Sequence, residues 1–331
     1  MPSERTFVTE LATGLGMLGD NDVVAVLERQ PAEFVNLSQR DWSHLRELWE
    51  SGRYGREFLE GFMNGRAFFW ASDALNGRRP RRIEWTGGRR PPGDEVVPSD
   101  LRVDHVYLVS CKYLSRILHN SSPSRLVEAL LAWTGSDDAD WYARMAPEEY
   151  HELYRRCASV CPGLPSDVCE LSSSQRKELA GRLSAGWPPA AAVAYQRLCE
   201  VVAERTAATW QVSISRVNPE VVVWRLLRIG SAPYFILGAD EKLKPMRLRI
   251  DTPWDWRQQF RLRAFEVWPQ VAGQPRVGWR AVYERMSDGV VNSVEGHVEL
   301  RWGHGRFAQP PEAKVYLDTR HEAVPGYHML F

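Results

Sequence analysis

The sequence predicts a mixed α/β (α+β) chain with a helical start and a short αβ core in its N-terminal half, a helical middle segment and a mostly antiparallel β region at its C-terminal end. Three observations carry this expectation. Apolar residues recur three and four apart through the first ~76 residues, as on the buried stripe of helices. After about Val212 the apolar residues instead alternate in short runs separated by Gly, Pro or Asp, the period of half-buried strands. At 331 residues the chain is also longer than one hydrophobic core usually supports. The expected organisation is therefore residues 1–135 as helical start plus αβ core, 136–211 as a helical segment and 212–331 as a β-rich recognition or assembly domain.

The elements follow in order. "NDVVAVLERQ", "SQRDWSHLRELWES" and "GREFLEGFMNGRAFFWASDAL" read as helices, with Ser38 and Asp41 as N-cap candidates of the middle one. "NGRRPRRIEWTGGRRPPGDEVVPSD" is rich in Arg, Gly and Pro and reads as loop around one short strand at Ile83 to Trp85. Val96 to Tyr113 reads as two strands joined by a tight turn near Asp104-His105. In "SPSRLVEALLAW", Ser122 is the N-cap and Pro123 the first helical residue of the next helix. "PEEYHELYRRCASV", "SSQRKELAGRLS" and "AAAVAYQRLCEVVAERTAATW" continue the helical pattern. "VVVWRLLRIG", "APYFILG", "PMRLRIDT", "FRLRAFEVW", "VGWRAVYERM", "EGHVELRWGHGRF" and "AKVYLDT" read as strands.

Composition narrows the function classes. Hydrophobic residues at 44% and charged residues at 25% argue against disorder or a fibrous repeat. Lys plus Arg and Asp plus Glu are each 42, so no global field draws the chain to a polyanion and nucleic-acid contact must come from local clustering. No run approaches the ~18 apolar residues of a membrane span, and "MPSERTFVTELATGLGML" has no uninterrupted apolar stretch of the secretory kind. A cytoplasmic protein with no membrane partner is expected, and its odd number of cysteines, 5, fits reduced thiols.

The chemistry-bearing stretch is "VPSDLRVDHVYLVSCKYLSRILHNSSP". In a strand over "VYLVSCKY", alternation puts Val106, Leu108, Ser110 and Lys112 on one face and Tyr107, Val109, Cys111 and Tyr113 on the other. Lys112 thus shares a face with apolar residues, where it either snorkels to water or meets an anion at the sheet's edge. Asp100, on the preceding strand, is within hairpin reach. A carboxylate that holds Mg²⁺ beside a lysine that positions the nucleophile or stabilises developing charge is suited to phosphodiester hydrolysis.

Here the residues resemble the PD-(D/E)xK nuclease superfamily: "PSD" at Pro98 to Asp100, an apolar strand, then "SCK" at Ser110 to Lys112. The resemblance covers about residues 55–135 and implies a restriction-endonuclease-like core of helix, β-hairpin and second helix with further strands. It implies Asp100 as the metal-binding aspartate, Lys112 as the motif lysine, and Mg²⁺ or Mn²⁺ as cofactor. Two departures stand out: a serine separates Pro98 from Asp100, and Ser110 occupies the acidic position. In Ser-x-Lys versions the missing carboxylate comes from the following helix, which makes Glu128 the first candidate and the second metal ligand beside Asp100. Glu60, on a helix before the hairpin, and Glu84 in "RIEW" are the others.

The function expected from this resemblance is a metal-dependent DNA endonuclease, in phage defence, restriction or DNA repair. Its partner would be double-stranded DNA, with a homodimer or a helper ATPase or helicase as further assembly. The alternative is a non-catalytic nucleic-acid or protein docking module that keeps a nuclease-like core. Arg78, Arg79, Arg81, Arg82, Arg89 and Arg90 are the expected phosphate grip, set against Glu84 alone in that segment. Three weaker signals complete the reading. His151, Cys157, Cys161 and Cys169 form a loose cluster without zinc spacing. His297, His304 and His321 read as strand and turn residues. The 14 tryptophans suit base stacking, a carbohydrate or small ligand, or core anchoring of a sheet.

Overall fold

The structure, a computed structural model, describes residues 3–87, 99–113, 117–127, 140–240 and 242–330. It is mixed α/β, with two sheets that are mostly antiparallel. The chain divides into two compact units, each built from separated segments: 1–116, 227–259 and 321–331 in the first, 117–226 and 260–320 in the second.

The first unit begins with α1 (Glu4–Gly16), α2 (Val23–Arg29), α3 (Gln39–Glu50) and α4 (Gly55–Trp70). Strands β1 (Ile83–Trp85), β2 (Leu101–Val103) and β3 (Tyr107–Tyr113) follow. The second unit supplies β4 (Ile117–Ser121), α5 (Pro123–Val127), α6 (Trp141–Met145), α7 (Pro147–Ala158), α8 (Ser173–Arg182), α9 (Pro189–Ile214) and α10 (Pro219–Leu226). The chain returns to the first unit for β5 (Tyr234–Ala239), β6 (Pro245–Ile250) and α11 (Pro253–Gln259). It then forms β7 (Phe260–Val271), β8 (Pro275–Arg285), β9 (Val291–Arg301) and β10 (Glu312–Leu317) of the second unit, and ends with β11 (Tyr327–Met329) in the first.

Sheet order in the first unit is β1-β2-β3-β5-β6-β11. Only the β3–β5 pair is parallel, with Lys112 opposite Gly238. The β2–β3 turn falls where expected: Asp104 and His105 both adopt left-handed backbone, φ 51° and 61°, and the Val106 N–H closes onto the Val103 carbonyl at 3.0 Å. Ser38 and Asp41 form a reciprocal capping box that starts α3. Leu11 and Leu15 of α1, Phe58 and Phe62 of α4, and Leu101, Val103, Val109, Phe235 and Leu237 of the sheet make one buried core. Tyr107 and Cys111 pack against it, so alternation turns Ser110 and Lys112 to the other face of β3.

Helices α1 and α4 cross without side chains between their backbones. A Cβ on Gly65 would run into the Thr13 carbonyl, and one on Gly16 into the Phe62 carbonyl. Gly65→Ala is therefore expected to lower stability by about 1–3 kcal/mol through forced separation of the helices, as read from a urea midpoint.

The second unit is a five-stranded antiparallel sheet, β4-β10-β9-β8-β7. The long α9 lies against β7 and β8. Trp141, Trp210 and Trp279 are fully buried, so part of the tryptophan excess is core.

Several expectations are corrected. The three consecutive domains, 1–135, 136–211 and 212–331, give way to interleaved units, because the wholly buried run of β5 completes the first sheet beside β3. A parallel pair needs a long crossover, here everything between Tyr113 and Tyr234. "VVVWRLLRIG" is helical in α10 and not a strand. Asn218 accepts from the Glu220 N–H at 3.0 Å and Pro219 opens the helix, so a start signal overrides the β-branched run. Strands β4 and β11 had no expectation. Among the described residues no helix is long and apolar enough to cross a membrane.

Candidate functional site

The expected pair, Asp100 and Lys112, is brought together at the rim of the first unit's sheet. Asp100 immediately precedes β2, and its main chain is fixed on both sides: its N–H donates to the Val109 carbonyl at 2.8 Å and its carbonyl accepts from the Thr86 N–H at 3.0 Å. Its carboxylate Oδ2 accepts from the Cys111 N–H at 2.6 Å and from Ser110 Oγ at 3.1 Å. The "S-C" of the motif thus clamps the aspartate. Ser110 is buried and also shares a hydrogen bond with Tyr234 across the β3–β5 pair.

Lys112 is desolvated on the face it shares with Ser110. Burial lowers its pKa, the Asp100 carboxylate opposes that, and the Arg228 guanidinium adds to it. Arg228 is 3% exposed, has left-handed backbone at φ 63°, and lies over the Tyr234 ring at 5.5 Å. Opposite Lys112, Gly238 is required: a Cβ there would strike the Lys112 carbonyl.

The acid that joins this pair is Glu10 of α1. It is 5% exposed and accepts a hydrogen bond from Trp85 Nε1 at 2.6 Å. Burial, then repulsion from Asp100, push its carboxyl from the usual 4.5 up to about 8, against the opposing pull of the Trp85 hydrogen bond and Lys112. Glu10, Asp100 and Lys112 thus act electrostatically on one another, with Glu10 buried and Asp100 and Lys112 half-buried. Cys111, beside them, has its thiol pushed well above its ordinary value by burial and by Asp100 and Glu10, so it is held as an inert thiol.

Of the other expected acids, Glu84 is turned away. It pairs with Arg82 at 2.9 Å and His105 at 3.6 Å, and the Arg82 hydrogen bond holds its carboxyl below the usual range. Glu60 pairs with Arg56 at 2.7 Å and lies beside Tyr113, whose side chain alternates away from that of Lys112. Glu128 lies outside the described residues. The acid that acts electrostatically on Asp100 and Lys112 is Glu10 of α1, while Glu60 of α4 pairs with Arg56. The signal was available: "RTFVTELATGLG" is a helical stripe whose Glu10 sits among apolar neighbours, a position where a carboxylate is costly without a role.

Four of the six arginines of the expected grip lie within the described residues. Arg78 pairs with Asp104 at 2.6 Å, Arg79 with Glu33 at 2.6 Å and Asp20 at 3.5 Å, and Arg82 with Glu84. These ion pairs tie the β1 entry and the hairpin turn to the body of the unit, while the three arginine side chains stay part-exposed. Arg81 is exposed, its main-chain N–H bound to Asp104 at 2.7 Å. Arg89, Arg90 and Pro98 lie outside the described residues.

No family model, curated protein or solved structure matches the chain. What the site can do is therefore argued from its own groups. Glu10 and Asp100 are two hard oxygen donors, and among the described residues no group of three or more His, Cys, Asp or Glu is placed to hold a metal. Burial and the Asp100 charge leave the Glu10 carboxyl protonated near neutral pH. Ser99 Oγ, next to Asp100, is buried with no partner among the described residues. The cysteine cluster does not compete: Cys157 and Cys161 are buried thiols, Cys169 is exposed, and His151 faces Asp167 at 3.3 Å.

Proposed function

We propose that the first unit is a metal-dependent phosphodiesterase of the restriction-endonuclease-like type that cleaves DNA, with Mg²⁺ or Mn²⁺ held by Asp100 and Glu10. The observation that supports it is the electrostatic proximity of Glu10, Asp100 and Lys112, which come from α1, the β2 entry and β3. A cation bound there supplies Lewis-acid stabilisation of phosphate charge and a water of lowered pKa. Asp100 is kept in one rotamer by the Cys111 N–H and Ser110 Oγ, so it is preorganised. Lys112, its pKa lowered by burial, would position the nucleophile or stabilise charge developing on the phosphate. Arg228, whose charge acts on Lys112, would add positive potential there, and Glu10 would exchange its proton as the local charge changes.

Supercoiled plasmid with Mg²⁺ or Mn²⁺ tests this reading. Nicking or linearisation is expected from the native chain and its absence with EDTA, while Glu84→Gln, whose carboxylate is committed to Arg82, should cut normally. A second reading, a docking module without catalysis, is favoured by Ser110, which leaves the strand motif without its acid. DNA retention with no cutting under either metal would select it.

A further inference from the structure

The second unit contains a cleft of ≈ 710 Å³ that the proposed chemistry does not use. Its walls are aromatic. Trp187 lies 4.6 Å from Tyr195 and 6.1 Å from Trp302, and Tyr195 stacks on Trp302 at 6.3 Å with 23° between planes. All three are half-buried, so each ring presents part of a face to the opening. Its charged lining is basic: Lys177 and Arg306 belong to it with His304, whose Nε2 faces Glu312 at 3.9 Å, while Ser184 and Gln274 add neutral polar groups and no carboxylate residue lines it. Arg306 sits over the Trp187 ring at 4.5 Å and gives one of its five donors to the Leu183 carbonyl, which fixes the guanidinium at the cleft wall.

These features select a ligand class. A quaternary ammonium or methylated lysine is disfavoured, because Lys177 and Arg306 already place positive charge on the cleft wall and would repel it. A neutral sugar would use the rings but not the three basic groups. A flat π-system joined to an anion uses both. We infer that the cleft binds an unpaired nucleotide, its base stacked on Trp187 or Trp302 and its phosphate on Lys177 and Arg306. The base would lie against an outer ring face: the 6.1 Å between Trp187 and Trp302 is shorter than the ~6.8 Å, two stacking rises, that a ring inserted between them needs. This deepens the proposed action on DNA, on which its biological meaning rests, by giving the second unit a single-strand or strand-end specificity.

Tryptophan fluorescence of the full chain is titrated with deoxyadenylate, deoxyadenosine, inorganic phosphate, maltose and a short oligodeoxythymidylate. EDTA is present and the Asp100→Asn chain is used, so the result does not depend on cleavage. Deoxyadenylate and the oligonucleotide should quench saturably, more tightly than deoxyadenosine, with phosphate and maltose weakest. Trp187→Ala should weaken deoxyadenylate about 5- to 100-fold and Trp187→Phe far less. Lys177→Glu, on an exposed side chain, should weaken it with a reduced salt dependence and tests the idea even if Trp187→Ala fails to fold. Equal binding of maltose, or unchanged deoxyadenylate binding in a folded Trp187→Ala or in Lys177→Glu, overturns the assignment. Failure of plasmid cleavage with intact nucleotide binding would remove the catalytic reading and leave this one standing.

Discussion

Glu10→Gln is expected to make the protein more stable and inactive. The native carboxyl titrates near 8 when folded and near 4.5 when unfolded. Between those values the native state holds a proton that the unfolded state has released, so stability falls as pH rises through this window. The total is on the order of 5 kcal/mol at ~1.36 kcal/mol per pH unit. Glutamine keeps an oxygen for the Trp85 N–H and carries no charge, so the variant escapes the loss. Urea midpoints of the two chains should nearly coincide at pH 4.5 and separate progressively, reaching their full gap above pH 8. Saturating Mg²⁺ should narrow the gap by stabilising only the native chain, by about 2.7 kcal/mol at a hundredfold excess over its dissociation constant, with release of a proton. A gap that stays constant with pH would show that Glu10 is not a buried acid of this kind.

Asp100→Asn and Lys112→Met are expected to cut the rate of Mg²⁺-dependent plasmid nicking by on the order of 10²–10³ each, with DNA retention little changed. Asparagine is the informative choice at position 100. Asp100→Ala would strand the Cys111 N–H, and a buried donor without its acceptor costs about 1–3 kcal/mol, so lost activity and lost stability would be confounded. Asn retains an oxygen for that N–H and removes only the charge. Lys112→Met keeps the length and apolar stem of a desolvated side chain. If both variants nick at the native rate while the native chain is metal-dependent, the cation site lies elsewhere.

A comparison of these residues shows how far local pattern reaches. The turn at Asp104-His105 and the alternation of β3 were legible because each depends on backbone preferences within a few residues. Those two features alone place Asp100 and Lys112 on one hairpin. Glu10 was missed because its neighbours in sequence identify only a helix. Its partners, Trp85 and Asp100, are supplied by other elements. The ion pairs of Arg79 were not legible for the same reason: a run of arginines looks like a free cationic loop until Glu33 and Asp20 are seen beside it.

By itself, then, the sequence determined the helical start, the capping box of Ser38 and Asp41, the hairpin and the chemical types that its rim would carry. Tertiary structure alone decided that Glu10 of α1 is buried within electrostatic reach of Asp100 and Lys112, that β5 pairs with β3 beside Lys112, and that Arg78, Arg79 and Arg82 meet carboxylates of other segments or strands. The physical reason is that helix and strand periodicity is set by dihedral preferences over one or two turns. Pairing between distant elements is set by burial and charge compensation, and the entropy of closing the intervening loop grows so slowly with length that separation along the chain hardly restricts which partner is chosen.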